Sequence, residues 1–235
     1  MHLFYSRDRD SDRFRLDENE SRHLYRVLRL KQGDKVNVIN GSGNLYTCII
    51  LDPGPGPALL EIKSVEKDYN KRNYRLHIAI APTKNNERIE WFVEKSIEFG
   101  IDEISPIICS RSERKTYKTE RARRIAVSAM KQSVKTSETI INEPQSFKQF
   151  IKAEFQGSRF IAHCNKFMNN ESFYDTYTRG SNALILIGPE GDFSPEEVEL
   201  ALNAGFKELS LGSSRLRTET AGVAACSLVY FSNLL

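Results

Sequence analysis

Five short apolar runs, RLHIAIAP, EISPIIC, RFIAHC, ALILIG and ELSLG, punctuate residues 75–212, and stretches with helical patterning stand between most of them. Strands that alternate with helices cannot pair as tight hairpins. They are joined by crossovers, which build a parallel sheet covered by helices. The first intervening stretch, NNERIEWFVEKSIEFG, carries Ile89, Phe92, Val93, Ser96 and Ile97 on one stripe, with Gly100 as its stop. Trp91 falls off that stripe, so it faces either a second element or a partner chain. TERARRIAVSAMKQSVK reads as another helix. Ser194-Pro195-Glu196-Glu197 opens a further one with a capping box and a proline at the first helical position. TAGVAACSLVYFSNLL closes the chain as a mostly apolar helix.

The first seventy residues have a different rhythm. VNVIN and LYTCIIL flank the turn GSGN as a hairpin, and ALLEIKSVEK resumes as a strand after DPGPGP. Three prolines in DPGPGP exclude helix and central strand there. DENESRHLYRVLRL predicts one helix. His23, Leu24, Val27, Leu28 and Leu30 lie largely on one face, Arg22, Arg26 and Arg29 lie on another, and the stop falls at Lys31-Gln32-Gly33-Asp34. Two domains are expected, residues 1–72 and 73–235.

Composition removes several classes of function. With 40% hydrophobic and 28% charged residues among 235, the chain reads as soluble and globular. The start, MHLFYSRDRD, lacks the apolar core of a signal peptide, and no run is long enough to span a membrane, so a cytoplasmic protein is expected. Cys48, Cys109, Cys164 and Cys226 fit neither a zinc spacing nor a disulfide framework and read as buried, reduced thiols. The histidines suggest no metal site. Charge is uneven. Residues 111–137 hold nine basic side chains against two acidic, and residues 182–235 hold three against seven. A basic stripe beside an acidic region suits a polyanionic substrate, and a solvated helix face would look the same.

Two strand-end loops carry the chemical signal. IGPEGDFS follows a buried strand and precedes a helix. It lacks the lysine of a P-loop and the spacing of a dinucleotide loop. With two acids and no base it suits a cationic or neutral ligand held by main-chain groups, and an ordinary turn would share the pattern. LGSSRLRTETAG repeats the arrangement one unit later. Loops of successive units meet at the carboxyl edge of a parallel sheet, where ligands bind.

Together, GPEG-x-F-S-x-x-E and LG-x-x-x-LR-x-ETA resemble the signature of the SPOUT methyltransferases, most closely the RsmE-type family, which methylates N3 of a uridine in 16S ribosomal RNA. HLYRVLRLKQGDKV and ERIEWFVEKSIEFGI are similar to segments of that family as well, so the resemblance spans nearly the whole chain. It implies an α/β fold: a small PUA-like β-barrel domain followed by a SPOUT domain, a trefoil-knotted parallel sheet. It further implies S-adenosyl-L-methionine as cofactor, 16S ribosomal RNA or the small ribosomal subunit as partner, and a homodimer formed through the SPOUT domain. Asp192 stands where the family usually has a second glycine. Ser214 and Arg215 stand where it has a basic and then a branched apolar residue, and KQSVK (131–135) replaces a segment closer to EQSGR.

Carried onto this chain, the resemblance implies cofactor contacts from His163, Gly188, Pro189, Glu190, Gly191, Leu211, Gly212, Leu216 and Thr218. N3 of uridine must lose a proton between two carbonyls, which calls for a donor and a base side by side. Arg217 and Glu219 are the catalytic candidates, Arg217 for a uridinate oxygen or a phosphate and Glu219 for positioning the base or taking the proton. Candidate RNA contacts are Arg7, Arg22, Arg26, Arg29, Arg88, Arg121, Arg123 and Arg124. Alternative readings are a SPOUT enzyme acting on another RNA, such as tRNA, and a non-catalytic RNA-binding protein.

Overall fold

The structure, a computed structural model, describes residues 2–54, 56–164 and 173–234. The chain forms two compact units. One comprises Met1–Lys71 with Val127–Glu138, and the other Arg72–Ala126 with Thr139–Leu235.

The first unit holds β1 (Leu3–Tyr5), β2 (Arg9–Asp10), β3 (Arg13–Arg15), β4 (Lys35–Ile39), β5 (Leu45–Asp52) and β6 (Leu59–Glu66). They form one sheet in the order β1-β4-β5-β6-β3-β2, parallel only at β1–β4. The expected hairpin is β4–β5. Alternate residues point inward, so Phe4, Phe14, Val36, Val38, Cys48, Ile50 and Leu60 build one buried core. The helix differs from its reading. Asp17 caps α1 (Glu18–Arg22), which then widens into a π-helical turn over His23–Val27. Leu24 is buried as the stripe requires, but the wider turn rotates later side chains away from it, and Val27 is exposed. The helix also stops early. Arg29 adopts φ +55° and Leu30 N–H bonds back to the Leu24 carbonyl, while Gly33 (φ +90°) serves the turn into β4.

The second unit begins with β7 (Leu76–Ile80), α2 (Asn86–Glu98), β8 (Glu103–Ile108) and the start of α3 (Glu120–Ser133), whose residues from Val127 onward belong to the first unit. The short β9 (Ile140–Ile141), β10 (Gln145–Ser146) and α4 (Phe147–Phe150) follow, then β11 (Ser158–Ala162) and α5 (Phe173–Thr176). The last elements are β12 (Ala183–Ile187), α6 (Pro195–Asn203), β13 (Lys207–Leu209) and α7 (Thr218–Ser232). The sheet runs β10-β8-β7-β12-β11-β13 with β9 beside β8, and all its pairings are parallel. Both faces are covered, which is why β7 and β12 are buried at every residue. On one face Ala79, Ile107, Ile161, Leu184 and Leu186 meet Phe147, Phe150, Phe193 and Phe206. On the other, α7 lies so close that a Cβ on Gly222 would stand 2.6 Å from the Phe92 ring and 3.1 Å from Ile80.

Local signals hold where the sequence carried them. α2 buries Ile89, Phe92, Val93, Ser96 and Ile97, and Ser194 and Glu197 form the capping box of α6. A cap of this kind contributes about 1 kcal/mol. One thiol departs from its reading: Cys48, Cys109 and Cys226 are buried, but Cys164 is exposed, because it lies just beyond the end of β11. His77, inside β7, packs against Phe150 and Phe155 with Nε2 2.8 Å from Ser105 Oγ. Burial pushes its pKa down to about 4, partly opposed by Glu103 and reinforced by Arg75. Among the described residues no helix is long and apolar enough to cross a membrane.

Candidate active site

The carboxyl ends of four strands stand level. Ile187 is in register with Ile80 and with Ala162, and Ala162 with Leu209. The residues that follow therefore leave the sheet side by side and enclose a cleft of about 580 Å³, the size of a small-molecule site. His163 and Cys164 come from the end of β11, Gly188, Pro189, Glu190 and Asp192 from the loop after β12, and Leu211, Gly212, Leu216 and Thr218 from the chain leading into α7. Of the nine cofactor candidates, eight line this cleft. Gly191 does not; its Cα faces Arg111, whose guanidinium donates to the Gly191 and Phe193 carbonyls at 3.1 and 3.3 Å. Ser214 and Arg215 line the cleft too.

The loops are tied by bonds that no local pattern announces. Thr218 Oγ1 donates to the Gly188 carbonyl at 3.0 Å, which fixes the start of α7 to the loop after β12. Glu190 accepts the Lys84 N–H at 2.9 Å, and Asp192 accepts the Cys164 N–H at 2.9 Å and the Phe193 N–H at 2.8 Å. Glu197 accepts from Ser110 N–H and Oγ as well as capping its own helix. Gly188 has little room for a side chain, since a Cβ would lie 3.1 Å from the Phe193 ring. His163 Nε2 sits 3.1 Å from Glu208 Oε1, both side chains almost wholly buried, so this ring is anchored beneath the cleft.

A second opening, about 620 Å³, adjoins the first at Leu216. Arg217 and Glu219 line it with Asn85, Glu87, Arg88 and Trp91, so both catalytic candidates lie here and not in the cleft. Arg217 is the N-cap residue of α7 with no capping bond from its side chain. Glu219 is 94% buried by area, given its 6% exposure. Its Oε1 lies 3.8 Å from Arg88 Nε, and Oε2 has no hydrogen-bond partner among the described residues. A buried carboxylate oxygen left open is costly unless something else completes it.

The RNA candidates divide. Arg22, Arg26 and Arg29 are exposed on and just after the first helix, with Arg26 over the Tyr25 ring. Arg124 is exposed on α3. Arg7 pairs with Glu138, Arg121 with Glu90 at 2.7 Å, and Arg123 with Glu143 at 2.6 Å. Arg88 is held at the groove by Glu219. Much of the remaining basic stretch is structural: Arg114 donates to Asn86 Oδ1 and the Lys84 carbonyl, Lys115 to the Cys109 and Ser110 carbonyls, and Lys131 pairs with Glu20.

An RNA methyltransferase domain model matches residues 70–230, and an RNA methyltransferase PUA domain model matches residues 16–63. The chain belongs to this RNA methyltransferase family. Among its relatives, ribosomal RNA small subunit methyltransferase E of Aquifex aeolicus is 29% identical over 97% of this chain and 99% of its own length. Ribosomal RNA small subunit methyltransferase E 2 of Borreliella burgdorferi is 31% identical over 91% of this chain and 88% of its own. Among solved structures, a probable rRNA methyltransferase from Porphyromonas gingivalis superimposes with a TM-score of 0.91 at 40% identity, covering 100% of this chain and 99% of that one. A Legionella pneumophila protein solved with the cofactor SAM gives 0.87 at 28% identity, covering 98% and 97%. The PUA match places a second family module ahead of the methyltransferase fold.

Proposed function

We propose that the chain transfers a methyl group from S-adenosylmethionine to ribosomal RNA of the small subunit, at N3 of a uridine, in the cytoplasm. The observation that carries the reading is the gathering of eight cofactor candidates around one cleft at the carboxyl edge of the parallel sheet. The cleft fits the cofactor chemically. Its apolar walls, Ile187, Leu209, Leu211 and Leu216, suit an adenine, and its acidic side chains, Glu190 and Asp192, suit a cation and disfavour a triphosphate. The cofactor-bound Legionella pneumophila relative shares this fold at 28% identity. Residues 1–72 are read as the PUA-like RNA-binding domain and 73–235 as the SPOUT domain.

In this reading the segment leading into α7 is threaded as a trefoil knot. Two facts support it: β13 is the outermost strand beside β11, yet α7 returns to lie against β7, β12 and α2, and Thr218 grips the Gly188 carbonyl on arrival. Exposed Trp91 on α2 and Phe231 on α7 support a homodimer through this domain.

Bound in the cleft, S-adenosylmethionine supplies an electrophilic methyl on a positively charged sulfur. The chain supplies the rest. A uridine seated in the groove next to Leu216 meets Glu219, whose open Oε2 takes the N3 proton directly or through a water. Arg217 opposes the charge that then develops on a flanking carbonyl oxygen. The base must leave its stack to enter the groove, and exposed Arg22, Arg26, Arg29 and Arg124 contact phosphates. The test is mass spectrometry of 16S nucleosides from cells with and without this protein. Loss of 3-methyluridine is expected on deletion, and an unchanged nucleoside profile would overturn the reading.

A further inference from the structure

We infer that Asp192 makes the cleft prefer the positively charged cofactor to its neutral demethylated product. The inference rests on the reading of the cleft as the S-adenosylmethionine site. Three observations lead to it. Asp192 lines the cleft at the point where the ends of β11 and β12 meet. Its backbone is left-handed, φ +61°, a conformation disfavoured for residues with a Cβ and least so for Asn and Asp. Its two carboxylate oxygens each take a backbone N–H, from Cys164 at 2.9 Å and from Phe193 at 2.8 Å.

A strained backbone at a ligand cleft, stabilised by the side chain that causes the strain, is an arrangement with a use. The carboxylate cannot swing to solvent without giving up both donors. Its charge is therefore held at one place in the cleft wall. The other charged side chains lining the cleft are Glu190 and Arg215. Glu190 is drawn toward the loop after β7 by its bond to the Lys84 N–H. Arg111, a basic group tied to this loop, is directed at the Gly191 and Phe193 carbonyls.

The substrate form of the cofactor carries one positive charge more than the product, because methyl transfer turns a sulfonium into a thioether. A fixed anion in a partly enclosed cleft stabilises the first and not the second. The consequence is tight loading and easy release of product at the same site. Asp192 is thus a positioning and selecting residue and takes no part in proton transfer.

The test is calorimetric titration of the full chain with S-adenosylmethionine, with S-adenosylhomocysteine, and with sinefungin, which carries an amine cation near the sulfonium position. Asn tolerates the left-handed backbone, but its single amide oxygen can accept only one of the two N–H groups, so Asp192→Asn removes the charge together with one bond. The lost bond acts on all three ligands alike, and the lost charge is expected to weaken the two cations about tenfold more than the neutral product. Equal weakening of all three ligands, or no change in any, would overturn the inference. Asp192→Gly fits the backbone without strain but also removes the link to Cys164, and it is expected to weaken all three ligands. Wild-type affinity in Asp192→Gly would equally overturn it. If the wild-type chain binds none of the three, the reading of the cleft fails. If it binds them and Asp192→Asn keeps the wild-type ratio, only the role of Asp192 fails.

Discussion

The two openings that meet at Leu216 are built from different materials. The cleft is made of strand-end main chain, glycines and apolar walls, with its carboxylates tied down, Asp192 to Cys164 and Phe193 and Glu190 to Lys84, and the His163 ring set against Glu208. The groove is made of side chains, and the two candidates at the start of α7 keep groups open. Arg217 makes no capping bond, and buried Glu219 keeps one oxygen open. A site that must hold a ligand in one pose gains from preorganised main chain. A site that must move a proton needs a group whose partner is missing until the substrate arrives. The difference fits the proposed division, with binding in the first opening and chemistry in the second.

The largest effects should separate those roles. Glu219→Gln is expected to cut methyl transfer by about 10²–10⁴-fold and leave cofactor affinity within about twofold. Arg217→Ala should behave alike if it stabilises developing charge. Single-turnover rates paired with calorimetry check both. A parallel loss of cofactor binding would erase the distinction. Next comes the packing beneath both openings. Gly222→Ala puts a Cβ against Phe92 and Ile80, and overpacking of this kind costs about 1–3 kcal/mol, measurable by denaturant titration. Thr218→Val removes the bond that joins the start of α7 to the cleft loop. A loss of about 1 kcal/mol in stability, with weaker cofactor binding, is expected. A change in rate alone would move Thr218 to the chemical side.

Smaller effects lie away from the openings. Val134, just past α3, has φ +53°, a conformation that a β-branched residue resists. Val134→Gly should raise stability by about 1 kcal/mol, with the rate unchanged. His77 gives a pH dependence of definite sign. Its pKa falls from 6.5 unfolded to about 4 folded, so the unfolded chain binds the extra proton in that window. Its contribution is complete above about pH 6.5 and is lost as pH falls through about 4. His77→Gln should flatten the stability profile between those values.

What could be read in advance follows from the range of the interactions involved. Period 3.6 picked out the buried face of α2, and three-residue spacing picked out the Ser194–Glu197 cap, because both are local. The strands β9 and β10, of two residues each, are too short to show a period, and α4 is a single turn. The π-helical turn at His23–Val27 shifts side chains by an amount that no 3.6 pattern can report. The basic stretch shows a different limit. Charge counts register Arg114, Lys115 and Lys131, but not the carbonyls and carboxylate that occupy them. The same limit hid the Asp192–Cys164 bond, which joins residues 28 apart in the chain.

The division between a binding cleft and a chemical groove is tested most directly by incubating the purified chain with methyl-labelled S-adenosylmethionine and small-subunit RNA, then digesting the RNA to nucleosides. Label in 3-methyluridine is expected for the wild-type chain, and cofactor binding without label for Glu219→Gln. Label in another nucleoside, or a Glu219→Gln chain that methylates at the wild-type rate, would contradict it.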